Sequence, residues 1–118
     1  MTTTAITITP GGKISTITKP IDLRLLQEAV DGPVDLVALA GGPSPLDMWI
    51  NDEGMLTEHI NPIATEIADS IRAGHQQNYY GTVIFTGGPT DEGSTRALSP
   101  SRASEVLALA KTMQQLLI

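Results

Sequence analysis

The chain has no cysteine, which removes disulfide bridges, thiolate nucleophiles and cysteine-ligated metal and suits a reducing compartment. It is almost as poor in aromatic residues, with one Trp, two Tyr and one Phe, so the core must be built from Ile, Leu, Val, Ala and Met. Bases are few as well. Seven Lys and Arg stand against thirteen Asp and Glu, for a net charge of −6, and Lys13, Lys19, Arg24, Arg72, Arg96, Arg102 and Lys111 are scattered along the chain. Phosphate backbones are bound by clustered bases, so a basic nucleic-acid face is not expected. The acidic excess lies within the range that solubility alone explains. No apolar run approaches the ~20 residues of a membrane span, and the opening MTTTAITITPGG lacks the charged and apolar regions of a signal peptide. The expectation is a cytoplasmic protein without metal or cofactor.

What is present suits one domain spanning 1–118. With 41% hydrophobic and 17% charged residues the composition is that of a globular protein, and a chain of this length buries roughly two-thirds of its surface on folding. TAITITP alternates, with Ile6 and Ile8 opposite Thr7 and Thr9, and Pro10-Gly11-Gly12 turns it toward the β-branched KISTIT. This predicts an N-terminal hairpin over 3–18, although Ile14 and Ile17 do not alternate cleanly. PIDLRLLQEAVDG carries Leu25, Leu26, Ala29 and Val30 on one helical stripe, closed by Gly32-Pro33. VDLVALA is a nearly continuous apolar strand, expected at the centre of a sheet with both faces covered, and LDMWIN alternates, with Leu46, Met48 and Ile50 inward.

Asn61-Pro62 starts a second helix, the asparagine capping orphan backbone N–H groups and the proline fitting the first helical position. Ile63, Ile67 and Ile71 recur along it. YGTVIFT is the last strand. Ser99-Pro100 opens a helix over 99–117 whose apolar stripe, Ala103, Val106, Ala110, Met113 and Leu117, is widened by Leu107, Leu109 and Leu116. That excess either fills the core or forms an interface at Leu109, Met113 and Leu116. The order ββαββαβα predicts an α+β fold: a mixed sheet of about five strands with about three helices.

The densest run of acids is WINDEGMLTEHINPIAT, Trp49 to Thr65. Asn51-Asp52-Glu53-Gly54 has the composition of a tight turn. A zinc-protease pattern needs two histidines one helical turn apart beside a glutamate, whereas His59 and His75 are separated by a whole helix. A catalytic role would require Asp52, Glu58 and His59 to converge. Gly-Gly-Pro occurs twice after a strand, at 41–43 and 87–89. Glycine turns can present N–H groups to an anion, which nominates Gly87, Gly88, Arg96 and Arg102. The proline removes a donor, however, and no nucleotide-loop lysine follows. Tyr79-Tyr80 either stack on a ligand or pack at a strand entry.

The elements DGPVDLVAL, WINDEGML, NPIAT, YGTVIFTGG and ALS occur in an order that resembles a family of small proteins of unknown function found in tailed phages and bacterial mobile elements, particularly among actinobacteria. The resemblance covers about residues 28–100. Its most specific part is a strand ending in Asn51, then Asp52/Glu53-Gly54, then Asn61 followed by Ala64-Thr65, with His59-Ile60 where the family's usual proline would precede the asparagine. It implies a phage-type accessory protein of the bacterial cytoplasm and brings no catalytic residues. The function expected is a non-enzymatic module that binds a host or phage protein, with self-association allowed. The alternative is a protein that sequesters a small anionic or nucleotide-like ligand at the Gly-Gly-Pro loops.

Overall fold

The computed structural model describes residues 2–74 and 77–117. The elements run β1 (Ala5–Ile8), β2 (Ile14–Ile17), α1 (Leu23–Val30), β3 (Val34–Ala40), β4 (Leu46–Asn51), α2 (Gly54–Thr57), α3 (Pro62–Ile71), β5 (Val83–Thr86) and α4 (Pro100–Leu117). The five strands form one sheet in the order β2-β1-β5-β4-β3. Two local hairpins, β1–β2 and β3–β4, therefore flank a strand from much later in the chain. The sheet is antiparallel at every pairing rather than mixed; even the connection from β4 through α2 and α3 to its neighbour β5 joins antiparallel strands.

Helices cover both faces. On one side Ile63, Ala64, Ile67 and Ala68 of α3 and Ala103, Val106 and Ala110 of α4 pack on Ile6, Ile8, Leu46, Met48, Val83 and Phe85. On the other side Leu26 and Val30 of α1 pack on Ala5 and Ile84, with Trp49 and Ile17 at the margin. Ile14 joins the first cluster and Ile17 the second, which explains why β2 does not alternate: both of its faces are partly covered. Asp22 begins α1, its Oδ1 accepting from the Leu25 N–H at 2.8 Å.

The structure corrects the placement of one apolar run. VDLVALA is not central: β3 is an edge strand, with Leu36 and Ala38 exposed and only Leu39 fully buried. The centre belongs to the shorter VIFT of β5, buried at all four positions. Both runs are apolar enough for either place, and strand order is decided by pairing over long sequence distances. The one-turn helix α2 is a further element, where the sequence reads as a link. On α4, the excess apolar width largely fills the core: Leu107, Leu109 and Met113 pack against the first cluster, while Leu116 stands in solvent. A charge at Leu109 would thus strike the fold as well as any interface.

Candidate functional site

The loop from Asn51 to Asn61 is framed by two buried asparagines at the ends of regular elements. Asn51 closes β4 and turns its side chain under the end of α1, where Nδ2 donates to the carbonyls of Val30 and Asp31 at 3.1 and 3.2 Å. Its Oδ1 accepts from the Glu53 N–H at 2.8 Å, which sets the turn into α2. A side chain at Gly32 would meet Asn51 Nδ2 at 2.7 Å, so the glycine leaves room for this cap. At the far end Asn61 is fully buried. Its Oδ1 accepts from the Ala64 N–H, capping α3, and its Nδ2 donates to Ile8 and Gly81, both at 2.9 Å.

A third strut is the segment 79–81. Ile60 and Tyr80 form an antiparallel bridge, and the N–H groups of Asn61 and Gly81 donate to Tyr79 and His59 at 2.8 Å each. The Thr65 hydroxyl donates to the Asn61 carbonyl and accepts from the Tyr79 N–H. Gly54 lies so close to the Tyr80 carbonyl that a Cβ would come within 3.0 Å. The residues that carried the resemblance, Asn51, Gly54, Asn61, Ala64 and Thr65, are accordingly the joints of this loop.

The frame presents α2 to solvent. Met55 is 73% exposed and Leu56 83%, and Ile60 later in the loop is exposed as well. Between α2, β3 and the 77–80 segment lies a cavity of about 190 Å³ walled by Asp35, Asp52, Met55, Asn78 and Tyr80. Glu58 and His59 do not line it. The Glu58 side chain packs instead against Gly81, and His59 is exposed. Asp52 and the Glu58-His59 pair are therefore not brought together, and among the described residues no group of three or more His, Asp or Glu could hold a metal ion. His75 lies outside the described residues. Tyr79 is a core residue; burial pushes its hydroxyl upward in pKa, with Arg72 pulling the other way.

The Gly-Gly-Pro loops meet at the opposite end of the sheet, where packing occupies their atoms. The Gly87 N–H donates to the Arg96 carbonyl at 3.0 Å, and the Arg96 N–H donates to Gly88 at 2.9 Å. A Cβ on Gly88 would strike the Pro45 ring at 2.8 Å. Arg102 Nε donates to the Ser44 carbonyl at 2.7 Å and its Nη1 pairs with Glu105 at 2.6 Å. Gly87, Gly88 and Arg96 are brought together, and Arg102 ties the first loop to α4. The arginine head groups serve these loops: Arg96 Nε also reaches Pro89, at 3.4 Å.

Sequence reasoning passed over Asp47. It follows Leu46 on β4 yet is buried, on the Trp49 side of the sheet opposite Thr86 and Ala38. Burial raises its carboxyl above the ordinary value of 3.8. The folded state thus holds this proton more tightly than the unfolded chain does. Its contribution to stability is complete below pH 3.8 and is lost as pH rises through the folded value. Asp47→Asn is expected to raise stability at pH 7 and to leave it unchanged at pH 3. Thermal melts of both proteins across that range check this.

Fold and site together define a small α+β domain with a three-layer core and a loop, fixed at both ends, that exposes Met55 and Leu56. The chain belongs to the family described as Domain of unknown function (DUF3846), whose model matches residues 1–111 and so takes in the N-terminal hairpin as well as the 28–100 core. No curated protein and no solved structure matches it. No helix among the described residues is long and apolar enough to cross a membrane.

Proposed function

We propose that this protein is a non-enzymatic interaction module, a phage-type accessory protein of the bacterial cytoplasm that binds a host or phage protein through α2. The observation that carries the reading is the exposure of Met55 and Leu56 on a turn whose ends are fixed by Asn51 and Asn61. A flexible loop would lose conformational entropy on binding, whereas a pre-ordered one keeps most of its contact energy. Met and Leu at the crest fit an apolar groove on the partner, with Asp52 and Glu53 at the rim steering toward bases. The phage and cytoplasmic setting is supported by the motif around Asn51 and Asn61.

Tagged wild type and Leu56→Asp, purified gently from a bacterial host, should differ in native mass spectra. A stoichiometric protein mass retained by wild type and lost from the variant is expected, with both melting alike because Leu56 is exposed. The same mass on both proteins would place the interface elsewhere. A retained small molecule instead of a protein would favour the sequestering alternative.

A further inference from the structure

We propose that β3 is a self-association edge, along which two copies of this chain pair antiparallel about a two-fold axis at Leu36 and join their sheets into one. The outward row of backbone groups can be identified from the ladder. The Asp52 N–H donates to the Pro33 carbonyl at 2.8 Å, two residues beyond the Asp35–Ile50 pair, so Pro33, Asp35 and Val37 turn their backbone groups toward β4. By alternation Val34, Leu36 and Ala38 turn theirs outward. Two hydrogen bonds agree with this assignment: the Leu36 N–H donates to Asp35 Oδ1 at 2.9 Å, and the Ala38 carbonyl accepts from Arg72 Nη1 at 3.4 Å.

The two edges of the sheet differ. β2 is four residues long, with Lys13 and Lys19 close to its ends, and both shortness and lysine blunt an edge. β3 has seven residues with neither Lys nor Pro among them, and its central Leu36 is 44% exposed. A register shift between Ala38 and Ala40 ends the regular edge after Ala38.

The pattern of this edge fits a second copy of itself. Val34, Leu36 and Ala38 are evenly spaced about Leu36. An antiparallel copy therefore sets Leu36 on the partner's Leu36 and Val34 on the partner's Ala38, and each such pair exchanges two hydrogen bonds. The leucines then cover one another at the axis. The charges match too. Arg72 reaches the edge at Ala38, across from the partner's Val34, and the partner's Asp35 is the next residue along. Both caps released by pairing, a weak contact at 3.4 Å and a carboxylate on its neighbour's N–H, become opposite charges facing each other across the interface. This surface is separate from α2 and stands independently of the function proposed above.

Sedimentation equilibrium of wild type, Leu36→Lys and Arg72→Glu tests it. Wild type should be a dimer of the 12.5 kDa chain. Leu36→Lys puts like charges on the axis and removes the apolar contact, and should weaken the dimer about a hundredfold with an unchanged melt of the monomer. Arg72→Glu should weaken it about fivefold, with recovery on adding Asp35→Arg. Because the chain has no cysteine, Leu36→Cys should give a single disulfide-linked dimer on mild oxidation. A wild type that stays monomeric at high micromolar concentration overturns the proposal. So does a dimer that survives Leu36→Lys or fails to cross-link through Cys at this position.

Discussion

Asn61→Ala is expected to remove about 3–5 kcal/mol of folding stability. The side chain is fully buried, and truncation strands three backbone groups: the carbonyls of Ile8 and Gly81 and the N–H of Ala64. Each unpaired buried group costs about 1–3 kcal/mol, and the lost cap alone about 1. The three groups belong to β1, α3 and the segment entering β5, so no single local shift can satisfy them together. Against a typical total of about 5–15 kcal/mol the loss is severe. Urea titration should show a fall in midpoint at constant slope. Asn61→Ser, which keeps the cap acceptor but reaches neither carbonyl, should recover only about 1 kcal/mol. A loss below about 1 kcal/mol for the alanine variant would mean that the 59–61 and 79–81 strands hold without the amide.

Gly87→Ala should be nearly as damaging, at about 2–4 kcal/mol. A Cβ there would collide with the Ala97 carbonyl and come within 3.0 Å of that of Arg96. Both obstacles are backbone, and the hydrogen bonds between 87–88 and 96 hold them in place. The first Gly-Gly-Pro makes the contrast. Gly42 has φ +75° and no atom near its missing Cβ, so Gly42→Ala carries only the left-handed penalty of about 1 kcal/mol. Gly41→Ala, with open space and no such φ, should be close to neutral. The expected order of melting temperatures is therefore Gly41→Ala, Gly42→Ala, Gly87→Ala, from highest to lowest. Equal values for Gly41→Ala and Gly87→Ala would show that the 87–98 loop gives way.

These glycines show where sequence stops informing. The tripeptide is identical in the two loops, and only the approach of residues 96–97 makes one of them a packing point and the other a plain turn. Local features were readable because local chemistry determines them. Asn61-Pro62 caps and starts α3, Ser99-Pro100 starts α4 with the Ser99 hydroxyl accepting from Arg102, and Pro10-Gly11-Gly12 turns the hairpin. Partners far along the chain were not readable. Asn51 looks like a turn residue, and its second role as a cap on α1 depends on α1 lying beneath the end of β4. The edge position of β3 has the same origin, although Asp35 within an apolar strand is a mark that edge strands carry. The exposed Met55-Leu56 pair was visible as two apolar residues among acids; nothing in their spacing told a solvent-facing turn from a buried link.

The strand order also sets a timetable for synthesis. β1–β2 and β3–β4 are each complete by residue 51, but the strand that unites them ends at residue 86. Until β5 leaves the ribosome, β1 and β4 each expose a row of unsatisfied N–H and C=O groups on the side it will fill. The nascent chain passes through a stage with two ribbons and four open margins instead of two. Closure then depends on contacts of long sequence separation, which are slow to find. Such margins are where newly made chains adhere to one another, and the brevity of β5, four residues, keeps the final insertion a short step.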